Sequence, residues 1–258
     1  FSKKKKVFSK ILFYLLVIIL GLLAMVFAES EGALLGAGGG IVFILLARVL
    51  AERLRDKEIN FKRKLIILLI LIISLLAISQ FKTYIIEKAT LSDHSGQIRQ
   101  QMWRETWQML TDGREITGAG LANYQNSIEK YHQSGIYIRN DDPDFDEKIR
   151  ISLEYQQANW QPIEIYLYPH NIILNFWSEI GMFGLLVFIL LNLKMLLNYR
   201  KVKNAENKEF YFVLIAVLLA IWVHGLVDVP YFKNDLSVFF WLIFGMSVVL
   251  ARSRKSLE

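Results

Sequence analysis

The chain of 258 residues contains no cysteine, and only four prolines and four histidines. Without cysteine there is no disulfide framework, which is compatible with exposure outside the cytoplasm, because a chain of this kind does not need one. The single glycine-rich stretch, Gly32 to Gly40, is not followed by a Walker-type lysine, which excludes a P-loop phosphate cradle. Gly32, Gly36 and Gly40 instead share one helix face, a small-xxx-small stripe suited to close helix packing. Charge is nearly absent from the middle of the long apolar runs, which speaks against an ion-coupled transporter. No signal-peptide pattern follows Phe1. The lysine-rich start reads as a connection between two membrane helices, so the expectation is the C-terminal part of a longer membrane protein.

What the chain has is apolar length. Hydrophobic residues make up 54% of it. They gather in the runs Ile11–Ala28, Gly32–Ala51, Leu65–Tyr84, Pro169–Leu197, Phe210–Val227 and Leu236–Ala251. Each is long enough to cross about 30 Å of hydrocarbon as a helix. The expected fold is therefore an all-α polytopic membrane protein, with about six transmembrane helices and a large, mostly helical extracytoplasmic loop. Three spans would lie in 1–84, the loop in 85–168 and three spans in 169–258. Lysine and arginine gather before the first run, between the second and third, after the fourth (Arg200 to Lys208) and after the last. The positive-inside rule then puts both ends of this chain in the cytoplasm and Ile85–Tyr168 outside. The net charge of +6 is largely this topology signal, and it gives no reason to invoke nucleic acid.

In the outer segment, Ser95 to Asp112 reads as an amphipathic helix, with Ser95 as N-cap and Asp112-Gly113 as the stop. Arg99, Trp103 and Trp107 recur at every fourth position and share a face. Such a face suits either an interfacial helix lying on lipid headgroups or a grip on phosphate oxygens by the guanidinium fork. A second helical stretch follows over Leu121–His132. The alternation Asp142, Asp144, Asp146 is a solvated acidic turn, since it lacks the glycine and final glutamate of a calcium loop. Glu29, Glu31, Asp228 and Asp235 lie at the outer ends of membrane runs, where carboxylates serve either solvation or chemistry.

His170 follows Pro169 at the mouth of the apolar run to Leu197. A proline suits the first helical turn, and a histidine beside it would feel the positive end of the helix dipole, which favours a neutral imidazole. A neutral imidazole is what a general base requires. A histidine merely satisfied at headgroup level fits the same position. His170-Asn171, nine further residues, then Gly181 and Gly184 resemble the signature of bacterial O-antigen ligases and their polymerase relatives. The run Ile98 to Trp103 followed by Gly118-x-Gly120 is similar to the arginine segment of that family's outer loop, and His224 to Asp228 to its tail.

The resemblance implies a metal-independent, GT-C-type glycosyltransferase with no cofactor, in the inner or plasma membrane of a bacterium. It would move a glycan from a polyprenyl-diphosphate donor to a hydroxyl of a glycan or lipid-glycan acceptor outside the cytoplasm. It implies a catalytic His170 and a diphosphate contact from Arg99. Arg104, Asn171, Trp103, Glu31 and Asp228 are the other candidate substrate-binding residues. One departure stands out: the family commonly carries Ser-Arg where this chain reads Ser30-Glu31. Arg104 and Arg114 are the candidates to supply the missing charge. The alternatives are a non-catalytic lipid-glycan transport subunit and an envelope scaffold.

Overall fold

The computed structural model describes residues 2–53, 82–202, 205–232 and 236–252. The run Leu65–Tyr84 lies outside them apart from its last three residues, as do Arg55 to Lys64, Asp235 and several of the other charges that set the expected sidedness. The described residues are mostly helical. They begin with α1 (Ser2–Phe27) and α2 (Glu31–Arg53). The turn between the two puts Glu29 at a φ of 49°, and the Ser30 hydroxyl accepts the Ala33 N–H at the start of α2.

The outer segment opens with α3 (Lys82–Thr90) and α4 (His94–Thr111). The start of α4 differs from expectation: Asp93, not Ser95, precedes the helix, and the Ser95 hydroxyl accepts from Arg99 inside it. The stop is where the sequence puts it, with Gly113 at a φ of 80°. The stretch after it resolves into α5 (Tyr124–Ile128) and one 3-10 turn, Glu129–Tyr131. A short antiparallel ribbon, β1 (Gly135–Tyr137) with β2 (Trp160–Pro162), encloses α6 (Phe145–Ile151) and α7 (Leu153–Asn159). Strands of three residues leave no period to detect. Gly135 permits this pairing, because a Cβ there would sit 2.5 Å from the Trp160 ring.

The chain then enters α8 (Ile172–Asn198), α9 (Ala205–Gly225) and α10 (Leu236–Arg252). Among the described residues, Ile172–Lys201 and Asn207–Gly225 are long and apolar enough to cross a membrane, and three shorter apolar helices accompany them. In the core between α8, α9 and α10, Phe176 stacks on Phe188 at 3.8 Å, with Trp222, Tyr231 and Phe240 around them. Two of the polar groups there pair with each other: Trp222 donates to Asn192, which donates to the Phe188 carbonyl. The glycine stripe packs α2 on α9. A Cβ at Gly36 would lie 2.6 Å from the Ala220 carbonyl oxygen and one at Gly40 2.9 Å from that of Ala216.

Helix α8 is not continuous in geometry. Gly181 has a φ of 73° and a ψ of 178°, which breaks the helix into two arms. The loop from Ile116 to Gly120 fills the break. Met182 N–H donates to the Ile116 carbonyl, and Ala119 N–H to that of Ser178. A Cβ at Gly181 would lie 2.2 Å from the Ile116 oxygen, and one at Gly118 2.4 Å from the Trp177 oxygen. Both glycines are thus demanded twice, by their positive φ and by the approach of two backbones. The outer core of Met109, Leu110, Tyr124 and Ile128 continues onto Leu174 and Trp177 of α8. This locks the outer segment to the helix that follows it; a fully buried Met or Leu side chain contributes about 1.5–3 kcal/mol.

Candidate active site

Two helix ends and the turn after one of them converge at His170. Asn171 is the N-cap of α8: its side-chain oxygen accepts the N–H groups of Ile173 and Leu174 at 3.0 and 3.1 Å. Pro169 and His170 therefore lie before the helix and not in its first turn, because the asparagine is the stronger cap. The Asn171 amide also donates to the Leu226 carbonyl at 3.0 Å, which ties the start of α8 to the end of α9. Its polar atoms are engaged in holding the site together.

His170 has a φ of 48°, a left-handed backbone that few residues other than glycine adopt. That conformation turns the imidazole toward the turn after α9. Nδ1 lies 3.0 Å from Asp228 Oδ1, with a fifth of the histidine side chain exposed. The same carboxylate oxygen accepts the Val229 N–H at 2.9 Å. Tyr166 and Tyr168 each meet the imidazole in a T-shaped contact at 5.5 Å. A carboxylate can only accept, so Nδ1 carries the hydrogen and Nε2 holds the lone pair in the neutral ring.

A second histidine shares the carboxylate. His224 Nε2 lies 3.4 Å from Asp228 Oδ2, although not aligned as a hydrogen bond. Gly32 lets the imidazole of His224 rest against α2, since a Cβ there would be 2.6 Å from its Cδ2. Next to Gly32, Glu31 pairs with Lys88 at 2.6 Å, and Lys88 also bonds Asp93 at 2.9 Å. Burial lowers the affinity of the Lys88 amine for its proton, but its two carboxylate partners prevail and hold its pKa above the ordinary lysine value.

The face of α4 predicted from the sequence meets this site at one point. Trp103 Nε1 donates to the Pro169 carbonyl at 2.8 Å, directly before His170. Trp107 packs edge-to-face on Trp177, centroids 5.6 Å apart, so the face lies against α8. Arg99 is one turn from Trp103, about 6 Å along the axis, half-buried and bonded to Ser95 at 2.7 Å. Arg104 points elsewhere. It is exposed and lines a cleft of about 670 Å³ with Tyr137, Asp141 and Glu87. Among the described residues, neither His170 nor Arg99 lines that cleft.

The sequence profile of the O-antigen ligase family matches residues 16–189, from α1 across the outer segment and into α8. The chain belongs to the O-antigen ligase family. A Rickettsia conorii protein whose name describes it as a polysaccharide ligase is 27% identical over 217 residues, covering 83% of this chain and 45% of that protein. The chain thus spans about half the length of the curated relative that it matches. No solved structure matches it.

Membership makes the chain part of an integral membrane protein family of glycosyltransferases in surface-polysaccharide biosynthesis. It also gives the family-like motifs of this chain a physical content. The glycines of His-Asn-x9-Gly and of Gly118-x-Gly120 are two halves of one contact, the break in α8 and the loop that fills it. Sequence reasoning brought His170, Asp228, Trp103 and Glu31 forward. It passed over His224 as a site residue and Lys88 altogether. The spacing of His224 and Asp228, four residues apart at a helix end, was the available signal for the first. Lys88 had none, because its partners are 57 residues upstream and five downstream.

Proposed function

We propose that this O-antigen ligase family member transfers a glycan from a polyprenyl-diphosphate donor to an acceptor hydroxyl at the outer face of the membrane. The observation that carries this reading is the bond from His170 Nδ1 to Asp228 Oδ1, at the junction of α8 and the turn after α9. Asp228 holds the imidazole in the tautomer whose Nε2 is free to take a proton. The acceptor O–H gives its proton to Nε2 while its oxygen bonds to the anomeric carbon of the donor sugar. The bond from that carbon to the diphosphate oxygen breaks, and the electron pair leaves with the polyprenyl diphosphate. The imidazolium then releases its proton to solvent.

A diphosphate is already a good leaving group, so the remaining work is orientation and neutralisation of the departing charge. Arg99, one turn from the indole that bonds Pro169, is the cation assigned to the diphosphate. Lys88, beside Glu31 where the family carries arginine, is a second positive group at the rim. Apolar helices with the residue placement described above are consistent with about six spans, both ends of this chain cytoplasmic and the site outside.

The test is His170→Ala in the full-length gene, with membrane insertion checked and the lipid-linked glycans profiled. Accumulated single repeat units identify a polymerase, and accumulated long lipid-linked chains identify a ligase. An unchanged profile would overturn the catalytic assignment and leave a transport or scaffold subunit.

A further inference from the structure

The cleft that holds Arg104 is lined by neither His170 nor Arg99, yet its walls are closely braced. Gln97 of α4 grips the backbone of Arg139 twice, donating to its carbonyl at 2.8 Å and accepting its N–H at 2.7 Å. This sets the width of the gap between α4 and the chain leaving β1. Arg139 pairs with Asp146 and lies over the Phe145 ring, and Asp93 pairs with Lys88, so the walls are braced. Four lining groups are left over. The side chains of Arg104, Glu87, Asp141 and Tyr137 have no hydrogen bond, ion pair or ring contact among the described residues. Tyr137 is 42% exposed.

We propose that this cleft is a subsite for the sugar chain, separate from the transfer centre, which takes neutral or amino-bearing glycan residues. This rests on the glycosyl-transfer reading above. Its volume of about 670 Å³ falls in the range of small-molecule sites, roughly 300–1,000 Å³. A sugar ring presents adjacent hydroxyls that both donate and accept, and an apolar face of C–H groups. Carboxylates accept from such hydroxyls, a guanidinium donates to them with its planar fork, and an exposed tyrosine ring offers a flat platform. Because the walls are already braced, little order is lost on binding.

Charge narrows the ligand. Two carboxylates without side-chain partners among the described residues, Glu87 and Asp141, line the cleft with one guanidinium, Arg104. The balance is negative, which disfavours a diphosphate or a chain rich in uronic acids. Arg104 is thus better suited to a sugar than to the leaving group. Position supplies the rest. Trp103, the neighbour of Arg104 in sequence, bonds the carbonyl before His170. The cleft and the transfer centre therefore meet α4 at neighbouring positions, about 100° apart around its axis, so one oligosaccharide passing the helix would reach both.

The chain could be that of the donor or that of the acceptor, and kinetics tells them apart. The probes are lipid-linked glycans extracted from the source cell and fractionated into single-repeat and multi-repeat pools, used with the full-length protein in lipid vesicles. Tyr137→Ala, Arg104→Gln and Asp141→Asn are expected to raise KM about 5- to 10-fold for the partner whose chain occupies the cleft, donor or acceptor. The rate at saturation should stay within twofold, and single-repeat substrates should be little affected. Unchanged KM values for both partners overturn the proposal, as does an equal loss on single-repeat substrates. As a second readout, saturation-transfer NMR with the released oligosaccharide should show contact in His170→Ala and lose it in Tyr137→Ala. Contact that survives Tyr137→Ala overturns the subsite. Turnover retained by His170→Ala would overturn the transfer reading instead, so the two failures are distinct.

Discussion

His132 and His170 each meet a carboxylate, and they differ in what lies at the second ring nitrogen. In the outer segment, His132 has both nitrogens engaged: Nδ1 lies 3.2 Å from the buried Glu105, and Nε2 lies 3.0 Å from the Ile163 carbonyl. Glu105 also accepts from Gln101 and from the Gln133 N–H. Both ring nitrogens are covered by protein oxygens, so neither is open to a substrate, and this imidazole clamps α4 to the chain on either side of the ribbon. At the helix junction, His170 has one nitrogen held by Asp228 and none of the described residues hydrogen-bonded to the other. The proposed transfer needs the arrangement at His170, with one nitrogen held and the other open; the arrangement at His132 only fastens segments together.

Substitutions separate the two. After His170→Ala, whose loss of turnover should be about 10²–10⁴-fold, the largest effect on rate is expected from Asp228→Ala. Removing a hydrogen bond to a charged group costs about 1.5–3 kcal/mol, or roughly 10- to 150-fold in turnover at 1.36 kcal/mol per decade. Initial rates on lipid-linked donor measure it, and a loss below threefold would mean that Asp228 does not hold the base. His132→Ala should do the reverse. It leaves Glu105 with two donors in a buried site, destabilising the fold by about 1–3 kcal/mol, while turnover per folded molecule stays within twofold. Thermal unfolding in detergent reads the first quantity, and rates normalised to folded protein read the second.

The break in α8 supports both regions, so Gly181→Ala blurs the contrast. A side chain there meets the Ile116 carbonyl and must adopt a φ of 73°, with an expected stability loss of about 1–3 kcal/mol. Hydrogen exchange should rise in 116–120 and in the first arm of α8 together; exchange confined to one of them would separate the loop from the helix. Asn171→Ala is the mildest, about 1 kcal/mol for the lost cap. Its KM and rate should suffer through the position of His170, and Asn171→Asp should recover the cap but not the bond to Leu226. Full recovery by aspartate would show that only the cap matters.

Much of this molecule is written locally. Apolar runs announce α1, α2, α8, α9 and α10, because a helix in hydrocarbon satisfies its own backbone and needs only length and composition. The glycine stripe of α2 announces a close helix contact, and Asp112-Gly113 ends α4 where it should. The His-Asn-x9-Gly spacing identifies the family. Where the groups meet is a different kind of information. That His170 faces Asp228, 58 residues away, depends on Asn171 capping one helix while bonding the end of another. The placement of Arg104 in a cleft away from His170, when its neighbour Trp103 touches that site, follows from the 100° between successive side chains on α4 once the helix is docked. The ribbon of β1 and β2, the clamp at His132 and the pairing of Lys88 with Glu31 all join distant segments. Their energies come from contacts that exist only after the chain has closed, so no periodicity along the sequence could carry them.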